Sequence, residues 1–205
     1  MPYRSSEKTR RKKDAKRTAM MQAAVHVFAE KGFYAATVRD IVRAADVAVG
    51  TFYFYFPDKE SLFIHLYEET ADFLLQTIYQ AMQRKEGIVA QIRHGLQAYM
   101  NIAIYEPAVV QLLLVGGAGA LPALAEKRSS FRERMLRVWQ EPLDAAAGKS
   151  IPVLNSAVAA AAIAGACDEV VLQVLARPNP DAAAEKAVPA LIEFIFNAIG
   201  ADPAT

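Results

Sequence analysis

Thiols are nearly absent from this chain: among 205 residues only Cys167 carries one. A lone cysteine excludes an intramolecular disulfide framework and fits a reducing compartment. Histidine is scarce as well. His26, His65 and His94 stand on separate stretches, with no Cys or carboxylate at metal-ligand spacing, so no metal site, cofactor site or histidine-based catalytic pair is expected. Glycine gathers once, at Gly116, Gly117 and Gly119, but without the strand, the Lys and the Ser or Thr of a phosphate-cradling loop. That cluster reads as a connector. No apolar stretch follows the basic N-terminal residues closely enough to make a signal peptide. Ser150 to Cys167 is free of charge, yet it is mostly alanine, contains Pro152, Asn155 and Ser156, and runs straight into Asp168 and Glu169. It reads as a helix built for close packing, not as a membrane span. Taken together these absences leave no nucleophile and base to carry catalysis.

What is present is apolar side chain and unevenly placed charge. Hydrophobic residues make up 54% and charged residues 22%, enough for a sizeable core. The net charge is only +1, but residues 1 to 60 hold 12 Lys or Arg against 7 Asp or Glu, and residues 61 to 205 hold 11 against 15. An excess of +5 at one end and −4 at the other turns the first end toward a polyanion.

The stretch from Thr37 to Leu62 organises the rest. Val38, Ile41, Val42 and Ala45 recur at helical spacing, and Thr37 with Asp40 three residues on fits a reciprocal N-cap. The spacing predicts a helix over 38–45, a tight turn at Asp46, a second helix over 48–56 ended by Pro57, and a third capped by Asp58. On the second helix Phe52 and Phe56 belong to the inner side. Val49 is placed with them by the spacing, and Gly50, Thr51, Phe54 and Tyr55 point mostly outward. TFYFYF would suit an edge strand by propensity, but no partner run exists elsewhere and a lone strand cannot satisfy its backbone. Two short helices joined by a tight turn make a helix-turn-helix.

Before it, Met1 to Lys13 reads as a basic disordered arm that could reach phosphates. A helix is expected from about Ala15 to Lys31, with Met21, Ala24, Val25 and Phe28 inward, Gly32 ending it, and Lys16 and Arg17 in its first turn, where cations suit the helix dipole only beside a phosphate. Residues 58–84 carry Leu62, Phe63, Leu66, Tyr67, Phe73, Leu74 and Ile78 as the stripe of a long helix. Further helices are expected over 88–105, 108–115, 121–147, 153–176 and 181–199. The fold class is therefore all-α, with about nine helices: a basic arm over 1–14, a three-helix helix-turn-helix domain over 15–60, and a helical body over 61–205.

The residues Phe28, Gly32, Phe33, Thr37, Ile41, Ala45, Val47, Gly50, Thr51, Phe52, Tyr53, Tyr55, Phe56, Lys59, Glu60 and Leu62 resemble the DNA-binding domain of TetR-family transcriptional regulators. Three positions depart from the pattern: Asp46 stands where Gly is usual, Ala48 where a Ser caps the recognition helix, and Phe54 where His is common. Asp tolerates positive φ better than most residues, so the turn is kept. The resemblance implies double-stranded operator DNA as partner. Thr37, Arg39, Tyr53 and Lys59 would position phosphates, and Val49, Gly50, Thr51, Phe54 and Tyr55 would face base edges. It implies a cytoplasmic homodimer through the last two helices, with small residues such as Gly165 and the apolar Val188, Leu191, Ile192, Phe194, Ile195 and Ile199 at the interface. It also implies a helix over 58–84 that links the DNA-binding domain to the body.

The body has more apolar side chain than one packed core needs. Tyr99, Met100, Leu113, Phe131, Met135 and Trp139, with Asp168 as a polar group that could pair with an arginine of the basic helix, are the candidate pocket for a small hydrophobic effector such as an acyl-CoA or another lipid-like molecule. The expected function is a ligand-responsive regulator, a repressor released from its operator by that effector. The rival is an all-helical lipid-binding or carrier protein that never touches DNA, which would have no use for a basic arm ahead of a helix-turn-helix.

Overall fold

The structure, a computed structural model, describes residues 7–83, 87–116, 121–148, 151–152 and 155–201, with side chains from Ala15 onward. Among the described residues there are nine helices: α1 Glu7–Ala35, α2 Val38–Ala44, α3 Val49–Tyr55, α4 Lys59–Met82, α5 Ile88–Tyr105, α6 Pro107–Leu114, α7 Pro122–Ala146, α8 Ser156–Leu175 and α9 Pro180–Ile199. The only extended pairing among them is an isolated bridge between Ala147 and Ile151. The all-α expectation stands. The chain divides into two compact units, Met1–Glu69 with Gln111–Lys127, and Thr70–Val110 with Arg128–Thr205.

In the first unit, α1 begins earlier than expected. Residues 7–14 are helical, not a disordered arm. They hold no Gly or Pro, and Glu, Lys and Arg are good helix formers, so nothing local stops the helix. Lys16 and Arg17 consequently lie well inside α1 and not in its first turn, which removes the dipole argument for a phosphate beside them. Residues 1–6 of the arm lie outside the described residues. Gly32 breaks α1 at φ 74° as expected, and one more turn follows to Ala35. Inward go Met20, Met21, Ala24, Val27 and Phe28, whereas Val25 is half-buried.

The sequence-predicted cap of α2 forms in both directions. Thr37 Oγ1 accepts from the Asp40 N–H at 3.1 Å, and Asp40 Oδ2 accepts from the Thr37 N–H at 3.0 Å. Lys31 Nζ donates to Asp40 Oδ1 at 2.8 Å, and this bond, ahead of those from Thr37, holds the Asp40 carboxyl far below the usual range. The turn to α3 passes through Asp46 at φ 51°. Asp58 accepts the Ser61 N–H at 2.7 Å and so caps α4.

What ties these short helices together is Lys59. Its ammonium donates to the carbonyls of Phe33 at 2.6 Å, Ala36 at 2.7 Å and, more loosely, Tyr34 at 3.4 Å. It also lies 4.4 Å from the Phe33 ring centroid. That ring packs on Phe63 at 5.1 Å, and Phe63 packs edge-on against Phe28 at 4.8 Å. Partial burial lowers the Lys59 pKa. A second tie joins α1 to α4, where Arg17 donates to Glu69 at 2.9 Å and contacts His65.

The second unit is built by α5, α8 and α9, which pack on one another, with the later parts of α4 and α7. A Cβ at Gly95 would meet Met82 Cγ at 2.8 Å and Trp139 Cζ3 at 3.0 Å, so the missing side chain is what lets α5 approach both helices. α5 matches its expected range of 88–105. α4 stops at Met82, and the expected continuation to Arg84 falls on residues 84–86, outside the described ones, as does the connector at Gly117 and Gly119. α8 starts at Ser156, not near Val153, because the Asn155 side chain caps it by accepting from the Val158 N–H at 3.1 Å. Phe73, expected in the α4 stripe, is exposed. Val138 of α7 is half-buried, and its neighbour Trp139 occupies the core.

Three substitutions test this frame. Lys59→Met should lower stability by about 2–4 kcal/mol in urea unfolding, because up to three carbonyls lose a charged donor. Asp46→Val should cost about 1–2 kcal/mol, since a β-branched residue pays the full left-handed penalty. Asp46→Gly should not lower the melting temperature.

Candidate nucleic-acid interface and effector body

α3 is seven residues long and has no side-chain cap at Ala48. A helix that short does not hold itself in water. It is held by Phe52, fully buried, and by its C-cap Phe56. With these two fixed inward, the opposite face is set: Val49, Tyr53 and Phe54 are 43%, 56% and 64% exposed, and Gly50 has open space around it. Val49 therefore belongs to the outer set and not beside Phe52. Thr51 and Tyr55 are half-buried at its edges. Phe54 and Tyr55 meet edge-on at 4.9 Å, as do Phe52 and Tyr53 at 5.3 Å, so the outer aromatics are braced by ring contacts.

The expected phosphate-facing residues divide. Arg39 is exposed and makes no ion pair among the described residues. Tyr53 is exposed. The Thr37 hydroxyl, by contrast, is donated to Asp40 Oδ2 at 2.7 Å. The Lys59 ammonium is taken up by the carbonyls at the end of α1. It fixes the frame, so its expected phosphate contact is corrected to a structural one. Tyr34 was not anticipated: it is the most exposed aromatic of the first unit and follows Phe33, whose carbonyl and ring Lys59 holds. No local pattern marks it.

Of the seven expected effector residues, six lie in the second unit and Leu113 in the first. Tyr99, Met100, Phe131, Met135 and Trp139 are all buried. Tyr99 and Asp168 meet directly, the hydroxyl donating to Oδ1 at 2.7 Å, and Arg132 Nη2 of α7 stands 3.7 Å from Oδ2. The arginine partner expected for Asp168 is thus present, though loosely. Burial pushes the Asp168 carboxyl above the usual range, and burial with the adjacent carboxylate pushes the Tyr99 hydroxyl up further. Cys167 is buried beside them, and burial raises its thiol. Among the described residues no group of His, Cys, Asp and Glu is placed to hold a metal ion.

Three open clefts mark this unit, and none is lined by those seven residues. One of about 790 Å³ runs between α5 and α9. Two more, of about 570 and 540 Å³, lie along α8 and α9 and share Phe194 as a wall. Phe194 is 63% exposed. Gly165 has open space where a Cβ would stand, and Ala161 and Ala162 are exposed beside it. Val188, Leu191, Ile192, Ile195 and Ile199, expected at a surface between two copies, are instead buried in the chain's own core. The α9 stripe is consumed by α5 and α8, so the outward face consists of small residues around Phe194. α8 is long and apolar enough to cross a membrane by length and composition, and a third of it is buried within the fold.

Residues 20–66 match the family model described as bacterial regulatory proteins, tetR family. The HTH-type transcriptional repressor KstR2 of Rhodococcus jostii is 28% identical over 141 residues, covering 65% of this chain and 66% of that protein. The fatty acid metabolism regulator protein of Bacillus subtilis is 33% identical over 75 residues, 37% of this chain and 39% of that one. The chain thus spans just under two thirds of the first relative's length and about two fifths of the second's. In structure, the FadR transcriptional regulator of Bacillus subtilis in complex with stearoyl-CoA superposes with a TM-score of 0.70 at 20% identity, covering 85% of this chain and 97% of that one. Sequence match and fold agree with the geometry of α2 and α3: residues 20–66 form a domain of the kind found at the N-terminus of tetR-family bacterial regulatory proteins.

Proposed function

We propose that the protein is a cytoplasmic homodimeric repressor whose α3 enters the major groove of an operator and which a small hydrophobic effector releases. The observation that carries this is the outward face of α3: aromatic side chains left exposed on a helix that the family model covers and two buried phenylalanines hold in place. Residues 15–60 form the DNA-binding domain in this reading, and 61–205 the effector and dimer body.

Arg39 and Tyr53 position phosphates, with Thr37 acting through the cap that orients α2. Val49, Gly50, Thr51, Phe54 and Tyr55 read bases. Only Thr51 and Tyr55 of these can hydrogen-bond through a side chain, so sequence preference leans on contact with thymine methyls and on DNA shape. Two copies joined through the Phe194 face of α8 and α9 present two such helices to half-sites about 34 Å apart or a multiple of it. For the effector, the relative with stearoyl-CoA bound and the fatty-acid regulator among the matches support a long-chain acyl-CoA. Asp168 and Tyr99 are the polar groups nearest the apolar set.

Retardation of DNA from beside its own gene is the first test. Lipid binding without retardation would favour a carrier. Arg39→Ala should weaken all sequences alike and lower the salt slope by about one unit, whereas Thr51→Ala should change the consensus recovered by site selection. Phe194→Glu should give monomers in sedimentation at micromolar concentration with the helical content kept. An 18-carbon acyl-CoA, and not free CoA, should release the DNA and raise the melting temperature; release by neither would sink the effector assignment.

A further inference from the structure

The cleft between α5 and α9 faces away from the Phe194 surface and serves neither DNA reading nor the buried apolar set. Its walls are Arg93, Gln97, Asn101, Ile104 and Tyr105 on one side and residues of Asp181 to Glu193 on the other. Arg93 lies over the Phe196 ring at 4.9 Å. If the two helices ran parallel from that contact, Tyr105 would fall beyond the end of α9. Since Tyr105 shares the cleft with Asp181 and Glu185, the helices are antiparallel, and those three groups gather at one end. Each wall runs over thirteen residues, and the twelve rises between its ends at 1.5 Å each span about 18 Å.

Three carboxylates line this cleft against one cation, Arg93. Glu68, Glu69, Asp72 and Asp40 each hold a Lys or Arg within 2.9 Å. Asp181, Glu185 and Glu193 share one cleft and make no ion pair among the described residues. Between them the floor is apolar, with Ile104, Val188 and Ile192. Tyr105 is 78% exposed at the acidic end, where an aromatic face adds attraction for a cation. Pro189, inside α9, has no N–H, so the Glu185 carbonyl lacks its usual helical donor.

The spacing decides what fits. Gln97 and Asn101 are one turn apart, about 6 Å, and so are Asp181 and Glu185. An extended peptide repeats its outward groups every second residue, about 6.6 Å. Side-chain amides on the wall can meet a peptide backbone, which an alkyl chain would leave unpaired. A small ligand is normally enclosed over most of its surface, and this cleft is open along its length.

We propose that the α5–α9 cleft docks an extended segment of a partner protein, about five residues long, with Lys or Arg on alternate positions flanking apolar side chains. The cations meet Asp181, Glu185 and Glu193 on the α9 wall, the apolar side chains on the segment's opposite face turn to Ile104 on the α5 wall, and the segment's backbone meets Gln97 and Asn101.

The test uses the full chain and a fluorescein-labelled five-residue peptide alternating Lys and Leu, followed by anisotropy at 50 mM salt. Binding should saturate at one peptide per chain. It should weaken at least tenfold in the Asp181→Asn, Glu185→Gln double variant and about fivefold in Tyr105→Ala, while Glu126→Gln, on α7, changes it less than twofold. The matching Glu and Leu peptide should not bind. Circular dichroism melts of each variant separate lost docking from lost fold, and Glu193→Gln is the substitute should the double variant melt early. Absence of saturable binding, equal binding by the Glu peptide, or equal affinity in the Asp181 and Glu185 variant would overturn the assignment.

Discussion

The carbonyls of Phe33, Tyr34 and Ala36 stand at the end of α1, where a helix leaves acceptors without donors. Lys59 supplies the donors from the first turn of α4, 23 to 26 residues further on. A cation at a helix C-terminus is also favoured by the dipole. Because the same ammonium sits on the Phe33 ring, and that ring on Phe63, the end of α1 and the start of α4 cannot shift independently. α2 and α3 lie in sequence between these two fixed points. Each is seven residues long, too short to be helical alone, so their geometry is borrowed from the clamp and from the buried side chains beneath them.

The two short helices are stabilised by different means. α2 has a reciprocal cap, a lysine on the capping carboxylate, and Ile41 and Val42 inside. α3 has no side-chain cap and relies on Phe52 and Phe56. A helix that leaves its first N–H groups unclaimed by side chains has donors to offer, and its outer face carries rings instead of charge. On the proposed reading such a surface would meet DNA through shape and methyl contacts, leaving the long-range attraction to the basic residues of α1 and α2. The +5 excess of the first sixty residues is consistent with that division of labour.

Local signals were legible where a local cause sets the structure. The Thr37 and Asp40 cap, the positive φ tolerated at Asp46, the stop at Gly32 and the span of α5 all follow from residues within one turn of the feature. The misreadings share another origin. A run of Lys and Arg reads as a solvated tail, yet residues 7–14 contain nothing that opposes a helix. Lys59 is assigned to a phosphate by the resemblance, because the carbonyls that claim it are distant in sequence. The stripe on α9 gives its apolar face but not the partner, and the chain's own α5 and α8 take it before a second copy can. Tyr105 and the three carboxylates of the α5–α9 cleft carry no local pattern at all. Their juxtaposition depends on the antiparallel register of two helices some eighty residues apart.

The packing of the body constrains the proposed effector more than its polar groups do. Tyr99, Met100, Phe131, Met135 and Trp139 are buried and line none of the three clefts along α5, α8 and α9, so a ligand entering this set as it is packed among the described residues opens room for itself. Opening about 400 Å³, near the small end of ligand pockets, costs on the order of 10 kcal/mol at about 24 cal/mol per Å³. Burying a methylene returns about 0.8 kcal/mol. A chain of about twelve methylenes therefore offsets the opening and a shorter one does not, before any head-group contact is considered. Asp168 does not reverse this. A carboxylate whose ionised form is already disfavoured by burial gives nothing to an anionic head, and its bond to the Tyr99 hydroxyl would have to be exchanged for one of equal strength. Selectivity in such a body comes from chain length, and the ligand shifts the equilibrium of the DNA-reading unit only by the difference in its affinity for the packed and the opened states.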